Sequence, residues 1–336
     1  HIPGTLTGVL QARLDSLPAS ERETLQRASV VGRLFWDAAV AYLGNAAPEA
    51  VAPLLPALGQ RELVYPREET AFEGTREYVF KHALLRDVTY ESVLRRLRRD
   101  YHRRAAEWLI GAGGDRVDEF ADLIAGHYAA AGDAANEAEW QARAGAHAAA
   151  RHALPEAERA LSRALALLES GAILPNRPPA GGAILPNRPA TTEDAIQENR
   201  ATRFDLLLER EAIYHIQGRR ELQAADLDAL DALAAALGDG DRLAEAALRR
   251  GFYSTSIGDL TAAHAAAEAA ARHAAADDVT RQAKAHLIRG HAFRAQGAYE
   301  QARSLLEMAL ALAHRGSPPA VEAEVLRSLG MTAQEQ

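Results

Sequence analysis

The residues best placed to do chemistry lie in the run Tyr78-Val79-Phe80-Lys81-His82-Ala83-Leu84-Leu85-Arg86-Asp87-Val88-Thr89-Tyr90. Alternating apolar residues, Tyr78 and Phe80, give way at His82 to a helical pattern rich in leucine and arginine. A histidine at such a junction lies where free N–H groups and the helix dipole gather, a setting suited to an anion such as phosphate. The plainer alternative is a histidine that caps the helix or packs in a core. Just downstream, Arg95, Arg96, Arg98, Arg99, Arg103 and Arg104 crowd one segment. These could grip nucleic acid or phosphate. They could also be the wet flank of a buried helix, or pair with acids in an intramolecular or domain contact.

Other constellations are absent or weak. The sequence has no Gly-x-x-x-x-Gly-Lys-[Ser/Thr] loop, and its lysines, Lys81 and Lys284, follow no glycine-rich stretch. Nucleotide hydrolysis by this chain alone is therefore not expected, and no enzymatic activity is assigned. There is no Gly-x-Ser-x-Gly elbow and no His-Glu-x-x-His pair. His147 with His152, and His286 with His291, are spaced so that the two rings diverge on a helix, which argues against a metal site. Asp226, Asp228 and Asp231 lack the glycine of a calcium loop and read as a solvent face.

The elements that must position these residues are mostly helical. At 336 residues the chain calls for two or more domains or a repeat array. Aromatics make up 6% and alanine dominates the apolar share, which favours closely approaching helices over a large aromatic core. A net charge of −8 speaks against a general nucleic-acid or anionic-membrane coat. With no cysteine, disulfides and thiolate metal sites are excluded. No apolar run reaches the roughly 20 residues of a membrane span, so no membrane partner is expected. His1 and Gln336 read as cuts in a longer protein.

Residues 1–94 mix helices with a strand pair. Ser20 and Glu23 have capping-box spacing and start a helix through Val31, and Pro48 opens another. Glu62 to Pro66 and Glu77 to Lys81 read as a hairpin with Gly74 near its tip, giving a winged-helix pattern. Residues 95–170 read as helical hairpins, with Tyr90, Leu94, Leu97, Tyr101, Ala105 and Trp108 as one helical stripe. Residues 171–199 are a Pro/Gly-rich linker in which GAILPNRP occurs twice, at 171–178 and 182–189. It is a duplicated loop or a docking motif. Residues 200–336 form a repeat array. Gly218, Gly258 and Gly297 end helices at separations of 40 and 39. Gly290, Gly297, Ala302 and Ala309 in the last unit match Gly251, Gly258, Ala263 and neighbouring alanines in the one before. That spacing is similar to the tetratricopeptide repeat. Glu211 breaks the pattern, and Gly145, Leu154, Ala157, Leu161 and Ala164 suggest a degenerate earlier copy. The fold class is mainly α: a small winged-helix domain with a β-hairpin, then an α-solenoid of helical hairpins.

Three segments carry a family resemblance beside the His82 run: Ile2-Pro3-Gly4-Thr5-Leu6, Ala12 to Leu17, and Ala28-Ser29-Val30-Val31-Gly32-Arg33-Leu34-Phe35. Together they resemble the region following the ATPase core in bacterial STAND-type signalling ATPases. Class III nucleotide cyclases and LuxR-type regulators with tetratricopeptide tails share that layout. The resemblance implies a cytoplasmic sensor fragment with no cofactor of its own. It implies ADP or ATP held in the parent between an upstream nucleotide-binding domain and the winged helix, with His82 on a phosphate. The solenoid would bind a protein or peptide on its concave face. A DNA-binding regulator and a plain scaffold are the rival readings.

Overall fold

A computed structural model describes residues 4–170 and 192–336; the duplicated GAILPNRP segment lies outside the described residues. They fall into two compact units, one on each side of that segment.

The first unit opens with α1 (Gly4–Asp15) and α2 (Ala19–Val31). Pro18, not Ser20, occupies the N-cap of α2, and no side chain caps it. With the helix starting at Ala19, Ser20 lies inside the first turn and is not at the position from which a side chain caps it. A short strand β1 (Leu34–Trp36) leads into α3 (Asp37–Leu43), α4 (Pro48–Val51) and α5 (Leu54–Gln60). Pro53 separates α4 from α5. Strands β2 (Val64–Pro66) and β3 (Glu77–Phe80) follow. The sheet has three strands in the order β1-β3-β2, all antiparallel, where the sequence pointed to two. Helices α1 to α5 and this small sheet make up the N-terminal part of the first unit.

The wing between β2 and β3 is pinned. Glu77 is buried and accepts from Trp36 Nε1 (3.0 Å), Arg67 Nη1 (2.8 Å) and the Ala71 amide (3.3 Å). Phe72 packs edge-on against Trp36 and Trp108, with ring centroids 4.8 and 5.0 Å apart, and lies 4.6 Å from Phe120. Trp108 belongs to α7 (Arg95–Gly113), and Phe120 ends the 3₁₀ segment Gly114–Phe120.

Between β3 and α7 runs α6 (Ala83–Ser92). The expected single stripe from Tyr90 to Trp108 is interrupted: Val93 and Leu94 are extended, with ψ of 132° and 136°, and Leu94 is 71% exposed. The buried face of α7 is instead His102, Ala105, Ala106 and Leu109. Helices α8 (Ala121–Ala131), α9 (Ala134–Ala150) and α10 (Leu154–Glu169) complete the unit.

The second unit is a helical-hairpin solenoid: α11 (Thr192–Gln217), α12 (Arg220–Leu237), α13 (Gly240–Ser256), α14 (Leu260–His273), α15 (Val279–Ala295), α16 (Tyr299–Ala313) and α17 (Pro319–Glu335). Gly218, Gly258 and Gly297 turn the chain within its hairpins at φ of 68°, 79° and 76°, values that glycine adopts without a Cβ penalty. At the crossings there is no room for a side chain. A Cβ on Gly290 would lie 2.8 Å from Leu306 and 3.5 Å from the Ala302 carbonyl, and one on Gly251 would lie 3.0 Å from Ile288. Ala263, Ala302 and Ala309 are fully buried. The α9–α10 hairpin of the first unit repeats the arrangement: a Cβ on Gly145 would lie 2.7 Å from Leu161.

One irregularity of the sequence is explained, and one reading needs correction. Glu211 sits one repeat before Gly251 and is buried as an ion, accepting from Gln223 Nε2 (2.6 Å) and Arg249 Nη1 (3.0 Å). Asp226 is no solvent-facing acid: it is 4% exposed and takes both prongs of Arg210, at 2.9 and 2.6 Å.

Candidate functional site

Strand β3 delivers His82 to the start of α6. Lys81 N–H bonds to the Leu63 carbonyl (3.0 Å), holding the strand end against the chain entering β2. His82 then takes an extended N-cap conformation, φ −133° and ψ 138°, and its carbonyl accepts from the amides of Leu85 (3.1 Å) and Arg86 (3.3 Å). Its ring is exposed and makes no capping hydrogen bond, so the imidazole is presented to solvent at the positive pole of α6. The helix beneath is fixed: Arg86 Nε donates to the Ser29 carbonyl of α2 at 2.8 Å.

One turn further along α6, Tyr90 is clasped by two guanidiniums, Arg86 at 4.7 Å and Arg98 at 4.8 Å from the ring centre. Its hydroxyl meets His102 Nε2 at 2.8 Å, and His102 Nδ1 faces His127 Nδ1 at 2.9 Å. Burial, then the charges of Arg86 and Arg98, bring the His102 pKa down to about 4. Burial, then His102 and Arg86, bring His127 to about 3. Both rings are thus neutral at pH 7, and one Nδ1 must donate to the other. His127 Nε2 has no hydrogen-bond partner among the described residues. An unsatisfied acceptor is better tolerated than an orphaned N–H, which favours donation from His127 to His102 and from His102 to Tyr90. This chain ties α6, α7 and α8 together. The sequence analysis missed it, because residues 25 apart on different helices leave no local pattern.

The six arginines divide. Arg98 donates to the carbonyls of Val93 (2.7 Å) and Glu91 (2.8 Å), stitching the break between α6 and α7. Arg104 bonds Asp100 (3.0 Å) and the Leu43 carbonyl (3.2 Å), with Arg103 3.8 Å from Asp100. Arg95, Arg96 and Arg99 are exposed and pair with no acid among the described residues. The exposed Leu94 and Leu97 stand beside them.

No group of three or more histidines, aspartates or glutamates that could hold a metal occurs among the described residues, nor any helix long and apolar enough to cross a membrane.

No family model matches the chain, and no curated protein matches it. Among solved structures, it is similar to a signal transduction ATPase with numerous domains (STAND) protein that carries a tetratricopeptide repeat sensor, from Pyrococcus horikoshii. The identity is 14% and the TM-score 0.43, with 98% of this chain and 50% of that one covered. The chain therefore spans half the length of that structure.

Proposed function

We propose that this chain is the non-catalytic regulatory part of a STAND signalling ATPase. The winged helix reports the nucleotide state of an upstream nucleotide-binding domain, and the solenoid takes a protein or peptide partner. The observation that carries the reading is His82: an exposed imidazole with no capping hydrogen bond at a helix N-terminus, on a helix anchored through Arg86 to Ser29. In the parent, that ring donates to a phosphate of ADP. The Tyr90–His102–His127 chain then passes any tilt of α6 to α7 and α8. A charge-assisted hydrogen bond of this kind contributes roughly 1.5–3 kcal/mol, about ten- to a hundredfold in affinity. Present in one state only, it biases a two-state switch. The test restores the upstream domain and compares ADP retention in the parent and His82→Ala. A loss of roughly tenfold or more is expected; equal retention removes His82 from the switch.

A second role attaches to Arg95, Arg96 and Arg99, three arginines that pair with no acid among the described residues. We assign them to a contact with an acidic domain of the same protein. Nucleic acid is the weaker occupant. The recognition-helix region, α4 and α5, contains neither lysine nor arginine, and the wing tip carries Glu68, Glu69 and Glu73. DNA binding that falls steeply with added salt would reverse that preference.

A further inference from the structure

Three successive hairpins carry an arginine at one register, Arg210, Arg250 and Arg289, each just before Glu211, Gly251 or Gly290. Two of them are neutralised within the array. Arg210 holds Asp226 bidentately. Arg250 of α13 reaches back to α12, where Nη2 meets Asp228 at 2.6 Å and Asp231 at 2.6 Å, while Nε donates to Asp231 at 3.1 Å.

Arg289 occupies the same place on α15, facing α14, and has no acid. Its guanidinium makes no ion pair among the described residues, and its Nε is buried without a hydrogen-bond partner. The repeat register says why. Gly218 and Gly258, two residues ahead of α12 and α14, lie forty residues apart, and the buried positions Leu227 and Leu230 recur as Ala267 and Ala270. In that register Asp228 becomes Glu268, whose carboxylate pairs with no cation among the described residues, and Asp231 becomes Ala271. The oxygen that Arg250 Nε binds is missing in front of Arg289.

A pocket of about 450 Å³ opens where that oxygen would be. Ala267, Ala271 and Ala285 line it with methyl groups. Arg289, Arg272 and His286 bring cationic or donor groups against the lone acid Glu268. The Nδ1 of His286 is also buried without a partner. Volume, apolar lining and a few convergent polar groups are the attributes of a small-ligand site.

We infer that this pocket binds a small organic oxyanion, a carboxylate or a phosphate, whose charged end takes the place before Arg289 that Asp231 holds before Arg250. The inference goes beyond the nucleotide reading of His82, whose ADP test involves none of these residues.

The experiment is calorimetric titration of the full chain with succinate and, separately, with glycerol 3-phosphate. Saturable binding of at least one probe is expected, and the probe that binds identifies the charged group. Arg289→Gln should weaken that binding roughly tenfold or more. Ala271→Asp, at an exposed position, rebuilds the internal bridge; it should abolish binding and leave the helical circular dichroism unchanged. Failure of both probes to bind the parent chain, or equal affinity in the parent and Ala271→Asp, overturns the assignment.

Discussion

The two units solve the same problem with opposite materials. The sheet-bearing end of the first unit is locked by large rings: Trp36 stacks on Trp108 at 5.5 Å, Phe35 lies 5.4 Å from Phe80, and Phe72 bridges to Phe120. The solenoid is built on alanine and glycine, with Ala263, Ala267, Ala270, Ala302 and Ala309 fully buried where helices cross. Each method has its own weak point. A ring cluster resists change because its parts interlock, and it fails when one ring is lost. An alanine crossing buries little area per residue, so it depends on close approach and on ion pairs between neighbouring helices.

The sharpest way to break the contrast is at Glu211, where an ion replaces the small residue. Glu211→Ala leaves Arg249 with Glu245 as its remaining acid and takes the buried acceptor from Gln223 Nε2, and should cost about 1–3 kcal/mol. Hydrogen exchange should report the loss in the second unit and not in the first. Uniform protection in both units would show that Glu211 does not hold the array.

Acid should act next, through His102 and His127 of the first unit and through His291 of the second, which burial and then Arg294 and Arg327 also hold down at about 4. The unfolded histidines titrate near 6.5, whereas His102 and His127 stay neutral in the fold down to about 4 and about 3. Protons therefore bind the unfolded chain preferentially as pH falls below 6.5. The stabilisation is fully present above that pH and is lost down to the folded values, on the order of 3 kcal/mol per ring by pH 4. A pH series of denaturant midpoints should show this slope, and His127→Leu should flatten it. An unchanged slope in that variant would place the acid sensitivity elsewhere.

Overpacking the array comes third. Ala302→Leu inserts a larger side chain beside Gly290 and Leu306 and should cost roughly 1–3 kcal/mol in chemical denaturation. The smallest effect belongs to Gly258→Ala. At φ 79° the added Cβ meets no neighbour, so only backbone strain of about 1 kcal/mol is expected. A larger loss there would mean that the turn carries packing as well as conformation.

What the sequence disclosed follows from the range of each interaction. The turn glycines at 218, 258 and 297 and the small crossing residues were legible because a repeat writes the same local rule several times. The position of His82 was legible because a change of period from two to 3.6 marks a strand-to-helix junction. Strand β1 was not, since Leu34-Phe35-Trp36 is too short for alternation to register. Nor were the clasp of Glu77 on Trp36 or the burial of Asp226, because each depends on a partner distant in sequence. Glu211 stood out as an irregularity, but its partners are 12 and 38 residues away. For the candidate site, the arginine cluster was obvious. Its division into structural and free members was not, since backbone carbonyls of Val93, Glu91 and Leu43 decide it.

The near-constant spacing of 40 and 39 residues between Gly218, Gly258 and Gly297 has an evolutionary corollary. In such a stack each hairpin meets only its neighbours. In-frame duplication or deletion of one whole period would therefore preserve every junction. Arm length, and the order in which charged and vacant registers succeed one another, can then drift by recombination without the chain having to invent a new core.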